Sequence, residues 1–299
     1  FEMLFAGETA SRYQVCQMEA SHQGKGVRIR LHIEAPEMVA LPWEFMYDSG
    51  QGEYLCLSRN TPLVRYLDLP QPIPTLGIQP PLQVLGLIAV PSNLPALEIE
   101  HEKNRVETAL ADLQKRKFVE VTWLEGATWR DLQRAMRGGP WHIFHFIGHG
   151  YFDDTAGEGV IALCKEDGSM DPLFASQLGH LLTDHRTLRL VLLNACESAQ
   201  GNQQDIFSST AATIVRRGLP AVVAMQYHIT DQASIEFSRT FYESLADGLP
   251  VDAAVAEARK AISMTVNNTL EWGTPVLYMR SPDGAMFDLD PLAPTNYSG

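Results

Sequence analysis

Two short stretches hold residues able to do covalent chemistry. One reads Gly148-His149-Gly150 and the other Asn194-Ala195-Cys196-Glu197. Each follows an unbroken apolar run, His142 to Ile147 and Leu188 to Leu193, of the kind that forms a buried parallel strand. A cysteine and a histidine 47 residues apart thus sit at equivalent ends of two strands, which is how a Cys/His pair is assembled from distant sequence. A thiol is mostly protonated near neutral pH, so it needs a neighbouring imidazole or a helix N-terminus to supply thiolate. Gly150 allows close backbone approach, and the N–H groups of Gly150 and Cys196 are candidate donors to an oxyanion. A buried structural cysteine and an ordinary loop histidine are the competing readings.

Other chemistries fail on spacing. His142, His145 and His149 lie along one strand rising about 3.3 Å per residue, which keeps them from converging on zinc, and no metal site is expected. The third glycine of a dinucleotide fingerprint falls at Asp153, and neither GxxxxGK[ST] nor GxSxG occurs. No cofactor is expected. Lys plus Arg number 23 against 36 Asp plus Glu, a net charge of −13 that repels nucleic acid and anionic lipid. No apolar run is long enough to span a bilayer, and four scattered cysteines suit a reducing cytoplasm. The start at Phe1, without an initiator methionine, reads as a piece of something longer.

The elements that must position the pair are readable from periodicity. Apolar runs at Val84 to Val90, Val119 to Leu124, Ala221 to Met225 and Val276 to Met279 join the two above as core parallel strands. Helical patterns cover Ile99 to Lys117, Trp129 to Met136 behind a Thr128/Asp131 capping box, Phe207 to Arg217, and Pro250 to about Ser263. Alternation of the two predicts a doubly wound, right-handed α/β sheet. Before the proline-rich stretch from Pro70 to Pro81, Val27 to Ile33 alternates apolar and polar residues, predicting an antiparallel, half-exposed β region with further short strands at Tyr54 to Leu57 and Leu63 to Leu67. The expected division is 1–78, N-terminal β-rich part; 79–290, catalytic domain; 291–299, tail.

On these residues the sequence resembles the CHAT branch of the caspase-like cysteine peptidases, marked by His-Gly after one strand and Ala-Cys after the next. The likeness extends through Leu41-Pro42-Trp43-Glu44-Phe45, Pro62-Leu63-Val64-Arg65-Tyr66, Gly218 to Ala224, Phe241-Tyr242, Ala258-Arg259 and Trp272-Gly273-Thr274-Pro275. It covers about Val27 to Phe287. The resemblance implies a caspase-like, mostly parallel sheet with an N-terminal β-rich extension, and a cysteine endopeptidase with Cys196 as nucleophile and His149 protonating the departing amine. It also implies a protein substrate and an appended or associated regulatory or sensor region, often in bacterial defence or programmed death. The alternatives are a catalytically silent CHAT interaction module that recruits a partner and an acyl transferase or hydrolase using the same thiol. In the related separases an acid in a Trp-Asp-Val-Thr-Asp run is associated with an Arg-binding pocket; here the matching run is Tyr227-His228-Ile229-Thr230-Asp231, so a basic P1 preference does not carry over. Candidate pocket residues are Asp153, Asp154, Gln226, His228, Asp231 and Trp272. Asp231 as a helix N-cap, Asp153 and Asp154 as a solvated turn, and Trp272 as core packing are the structural readings beside them.

Overall fold

A computed structural model describes residues 1–33, 35–39, 41–69, 73–95, 99–195 and 207–289. The N-terminal part runs through α1 (Gly7–His22), β1 (Ile29–Leu31), α2 (Pro36–Val39), β2 (Tyr47–Asp48), β3 (Glu53–Tyr54), β4 (Leu63–Tyr66) and β5 (Leu76–Ile78). It is followed by β6 (Leu82–Ile88), α3 (Ile99–Lys115), β7 (Val119–Trp123), α4 (Trp129–Met136), β8 (Ile143–Gly148), β9 (Gly150–Asp153), β10 (Glu158–Cys164), β11 (Met170–Phe174) and α5 (Ala175–Thr183). The remainder is β12 (Leu190–Ala195), α6 (Ser208–Arg216), β13 (Ala221–Met225), α7 (Asp231–Ala246), α8 (Val251–Thr265), β14 (Pro275–Met279) and β15 (Phe287–Leu289).

Eight strands form one sheet in the order β1-β4-β14-β13-β12-β8-β6-β7. The block from β13 to β7 is parallel. Its strands carry apolar residues on both faces because both faces are covered: every residue of β8 and of β13 is buried. The first crossover, through α3, moves outward from β6 to β7. The next, through α4, moves back past β6 to β8, and those through α5 and α6 continue the same way. Right-handed connections therefore put α3 on one face and α4, α5 and α6 on the other. Aromatic contacts agree: Phe146 meets Phe207 beside α6, while its strand neighbour His145 meets Tyr242 of α7.

Helix ends follow local chemistry. Thr128 and Asp131 form the reciprocal capping box at the start of α4. Pro250 is the N-cap of α8. Gly248 takes a left-handed φ of 80° just past α7, where a side chain would be strained.

Two expectations about strand direction are corrected. β14 is antiparallel to β13, not another parallel strand, because two successive helices, α7 and α8, return the chain to the end of the sheet it left. β1 pairs parallel with β4, not antiparallel, and β4 pairs parallel with β14, so the N-terminal strands complete the central sheet. Leu55–Leu57 is a 3-10 turn and not strand, with Leu55 and Cys56 buried. The chain also has a meander that periodicity did not reveal, the three-stranded sheet β11-β10-β9, which leaves the main sheet directly after β8.

Candidate active site

The sheet brings two strand ends together. β8 and β12 are neighbours, Asn194 pairs with Ile147, and Ala195 pairs with Gly148. His149 is the next residue after Gly148. Cys196, next after Ala195, lies outside the described residues, so the second candidate site residue has a described chain neighbour but no described side chain.

His149 is only 6% exposed, and its Nε2 lies 2.9 Å from the carbonyl of Pro95. A carbonyl only accepts, so the imidazole donates from Nε2 and carries its proton there. Among the described residues Nδ1 has no hydrogen bond. Pro95 belongs to the loop leaving β6, which is pinned to the β10–β11 turn: Ser92 N donates to Gly168 O and Met170 N donates to Asn93 Oδ1, both at 2.8 Å. Sequence reasoning missed Pro95, because a backbone carbonyl leaves no signature in residue type.

Neighbouring groups pack closely against the two glycines. A Cβ on Gly150 would lie 2.0 Å from the Phe207 ring, and one on Gly148 would lie 3.0 Å from Ala89 O. Ala162 N donates to His149 O at 2.9 Å, and Gly150 pairs with Ile161. That makes Gly150–Ile161 a non-hydrogen-bonded pair of the antiparallel ladder, leaving the Gly150 N–H outside the β9–β10 bonding.

The other two histidines of the β8 segment have different surroundings. His145 is fully buried, shares a hydrogen bond between Nδ1 and Tyr242 Oη (3.2 Å), and has no partner for Nε2 among the described residues. Burial depresses it to about 3. His142 accepts from Gln83 N at Nδ1 and is lowered to about 4, by burial and then by the Arg189 charge. Both are neutral near pH 7. Among the described cysteines, Cys56 is buried, donates its thiol to Glu44 O, and is pushed up to about 12 by desolvation. Cys164 is also raised by burial, and Cys16 is exposed.

The candidate pocket residues fall into two groups. Asp153 ends β9, where its Oδ1 accepts from Thr155 N and Ala156 N of the following turn at 2.9 Å, and Asp154 beside it is exposed. Gln226, His228, Asp231 and Trp272 gather on the segments after β13 and before β14. Gln226 is 3% exposed; its Nε2 donates to Gly273 O (2.7 Å) and Glu44 Oε2 (3.2 Å). Trp272 is buried against Phe45 and Tyr54, with ring centroids 5.1 and 4.5 Å away. The N-cap of α7 is Thr230, whose side chain accepts from Ala233 N. Asp231 follows it and holds His101 and Arg105 of α3 at 2.8 and 2.9 Å. His228 is half-buried on the same segment.

Behind Gln226 lies a closed ionic network. Arg65 donates to both Glu44 oxygens, at 3.2 and 2.8 Å, to Gln226 Oε1, to Tyr278 Oη and to the carbonyls of Val39 and Leu41. Arg259 lies 3.9 Å from Glu44 Oε1 and donates to Pro275 O.

Comparison with known proteins agrees with the fold. The CHAT domain family model matches residues 9–280. No curated protein matches. Among solved structures, the Arg-specific cysteine proteinase gingipain R is 14% identical with a TM-score of 0.53, over 95% of this chain and 69% of that one, which shows a shared fold. The separase of Saccharomyces cerevisiae, solved with securin, is 17% identical (TM-score 0.44) over 81% of this chain, which spans 14% of the separase chain. The Drosophila initiator caspase Dronc is 10% identical (TM-score 0.42), over 77% of this chain and 99% of that one.

Proposed function

The chain belongs to the CHAT domain family, and from that premise we propose that it is a cysteine endopeptidase in which Cys196 attacks a peptide carbonyl with His149 as its acid–base partner. The observation that carries the reading is the register of β8 and β12: Gly148 and Ala195 are paired, and His149 and Cys196 are the residues next in each chain segment.

The chemistry assigned to these groups is as follows. With Nε2 committed to Pro95 O, Nδ1 is the nitrogen left to take the thiol proton. The thiolate adds to the carbonyl carbon, and the oxyanion that forms is met by the N–H groups of Gly150 and Cys196. Collapse expels the amine, which takes the proton from the imidazolium. Water, deprotonated by the same imidazole, then adds to the thioester and releases the acid and the free thiol. A buried imidazole held by a pinned loop loses little orientational freedom in these steps, which favours proton transfer.

The substrate is a protein. Because His228 stands where Arg-specific relatives carry an acid, recognition is assigned to several subsites, Asp153, Asp154, Gln226, His228, Asp231 and Trp272 being the candidates, and not to one basic P1 contact. The setting we assign is the cytoplasm of a bacterium, as the regulated effector module of a larger protein in defence or programmed death, with an appended or associated sensor region controlling it.

The test adds wild-type protein, Cys196→Ala or His149→Ala to a proteome and maps new N-termini by mass spectrometry. The expected outcome is a discrete set of termini with wild type, reduced about 10²–10⁴-fold by His149→Ala and absent with Cys196→Ala, both variants remaining folded. Termini that persist with Cys196→Ala overturn the assignment, and a wild type that produces none while retaining partners supports a silent interaction module.

A further inference from the structure

The end of the sheet opposite His149 holds a second recess. Where β12 and β13 begin, a cleft of about 300 Å³ is lined by the basic side chains His185, Arg186 and Arg189 and by the apolar Ile73, Leu219 and Pro220. Its lining among the described residues contains no carboxylate, in a chain with 36 acids to 23 bases. Arg189 donates from Nη1 to the Arg186 carbonyl, and its buried Nε has no hydrogen-bond partner among the described residues. Asp184, the C-cap residue of α5, is exposed and bonds neither arginine. His142 next to Arg189 is held neutral by burial and by that guanidinium, so the positive charge at this end belongs to the arginines.

A buried guanidinium N–H with nothing to donate to costs free energy, and an acid-free pair of guanidiniums is repelled by itself. An oxyanion in the cleft neutralises this charge and gives the guanidinium N–H groups that face the cleft an acceptor. A lone carboxylate neutralises one arginine. A phosphoryl group offers three acceptor oxygens and up to two charges, matching two planar forks bidentately. The apolar wall requires an organic part, and the volume is at the small end of ligand pockets.

We propose that this cleft binds a phosphoryl-bearing small molecule of nucleotide size, its phosphates held by Arg186 and Arg189 and its organic part laid against Ile73, Leu219 and Pro220. The six residues of β12 separate this cleft from the strand end bearing Cys196 by about 20 Å, so the two sites are distinct.

The test is titration calorimetry of the whole chain with ADP, at low and at moderate salt, with inorganic pyrophosphate as competitor. One-to-one saturable binding is expected, weakened by salt and displaced by pyrophosphate. Arg186→Gln, on an exposed loop, and Arg189→Gln are each expected to weaken it about tenfold or more, while Arg130→Gln, far from the cleft, leaves it unchanged. No saturation at millimolar ADP, undiminished affinity in Arg186→Gln and Arg189→Gln, or failure of pyrophosphate to compete would each overturn the proposal. The readout is binding alone, so it stands or falls apart from the peptidase reading.

Discussion

The Glu44 network and the β8 strand end both bury titratable side chains that caught attention in the sequence, yet they differ in how many partners each group has. Glu44 is met by Arg65 through both oxygens, by Gln226, and by Arg259 at longer range; nothing is left to accept a substrate. His149 is equally buried but holds a single described hydrogen bond, which fixes one nitrogen and spares the other. Saturated polar groups specify packing, whereas a positioned group with spare bonding capacity is equipped for proton transfer. The difference is in partner count, not in burial.

That contrast can be broken by mutation. Arg65→Met strands the Glu44 carboxylate in the core and is expected to cost about 3–5 kcal/mol of unfolding free energy in urea, with turnover per folded molecule retained; Glu44→Gln/Arg65→Met together should recover much of the loss. If Arg65→Met instead abolished turnover while leaving stability intact, the network would belong to the site. Gly150→Ala drives a methyl into the Phe207 ring and is expected to cost about 1–3 kcal/mol by thermal melting and to lower turnover as well, because it displaces the backbone beside His149.

A smaller effect belongs to His145, inside β8. Burial lowers His145 to about 3, so the unfolded chain binds its proton more readily than the native one. Its contribution is therefore intact above the unfolded value near 6.5 and is lost as pH falls from there towards 3. Urea midpoints should decline below pH 6.5, and His145→Phe should reduce that slope by about 1.4 kcal/mol per pH unit. An unchanged slope in His145→Phe would contradict the buried neutral state.

The parts legible in sequence are those written in local pattern. The α4 capping box, Pro250 at the head of α8, and the apolar runs ending at Ile147 and Leu193 lie within a few residues of the features they specify. Strand direction is not local: Val276-Leu277-Tyr278-Met279 reads the same way up or down, and only the pair of helices before it decides. The Glu44 network joins side chains 21 and 182 residues apart, so its bonds escape any window. Its trace was a single charge inside each of two apolar blocks, Pro42-Trp43-Glu44-Phe45 and Leu63-Val64-Arg65, a pattern that calls for a buried partner. Asp231, read as a helix N-cap, is the first residue of α7 behind the Thr230 cap, and its link to α3 was not legible because His101 and Arg105 come from another element.

The most direct test of the account is the relative reactivity of the four thiols. Wild-type protein is treated with limiting iodoacetamide, quenched over time, and mapped by peptide mass spectrometry at Cys16, Cys56, Cys164 and Cys196. Burial keeps Cys56 and Cys164 protonated, while Cys16 is an exposed reference thiol. The account predicts that Cys196 is alkylated first, ahead of Cys16, and that His149→Ala slows Cys196 alone by about tenfold or more through loss of thiolate. Alkylation of Cys196 no faster than Cys16, or at a rate indifferent to His149→Ala, would contradict the pairing of Cys196 with His149.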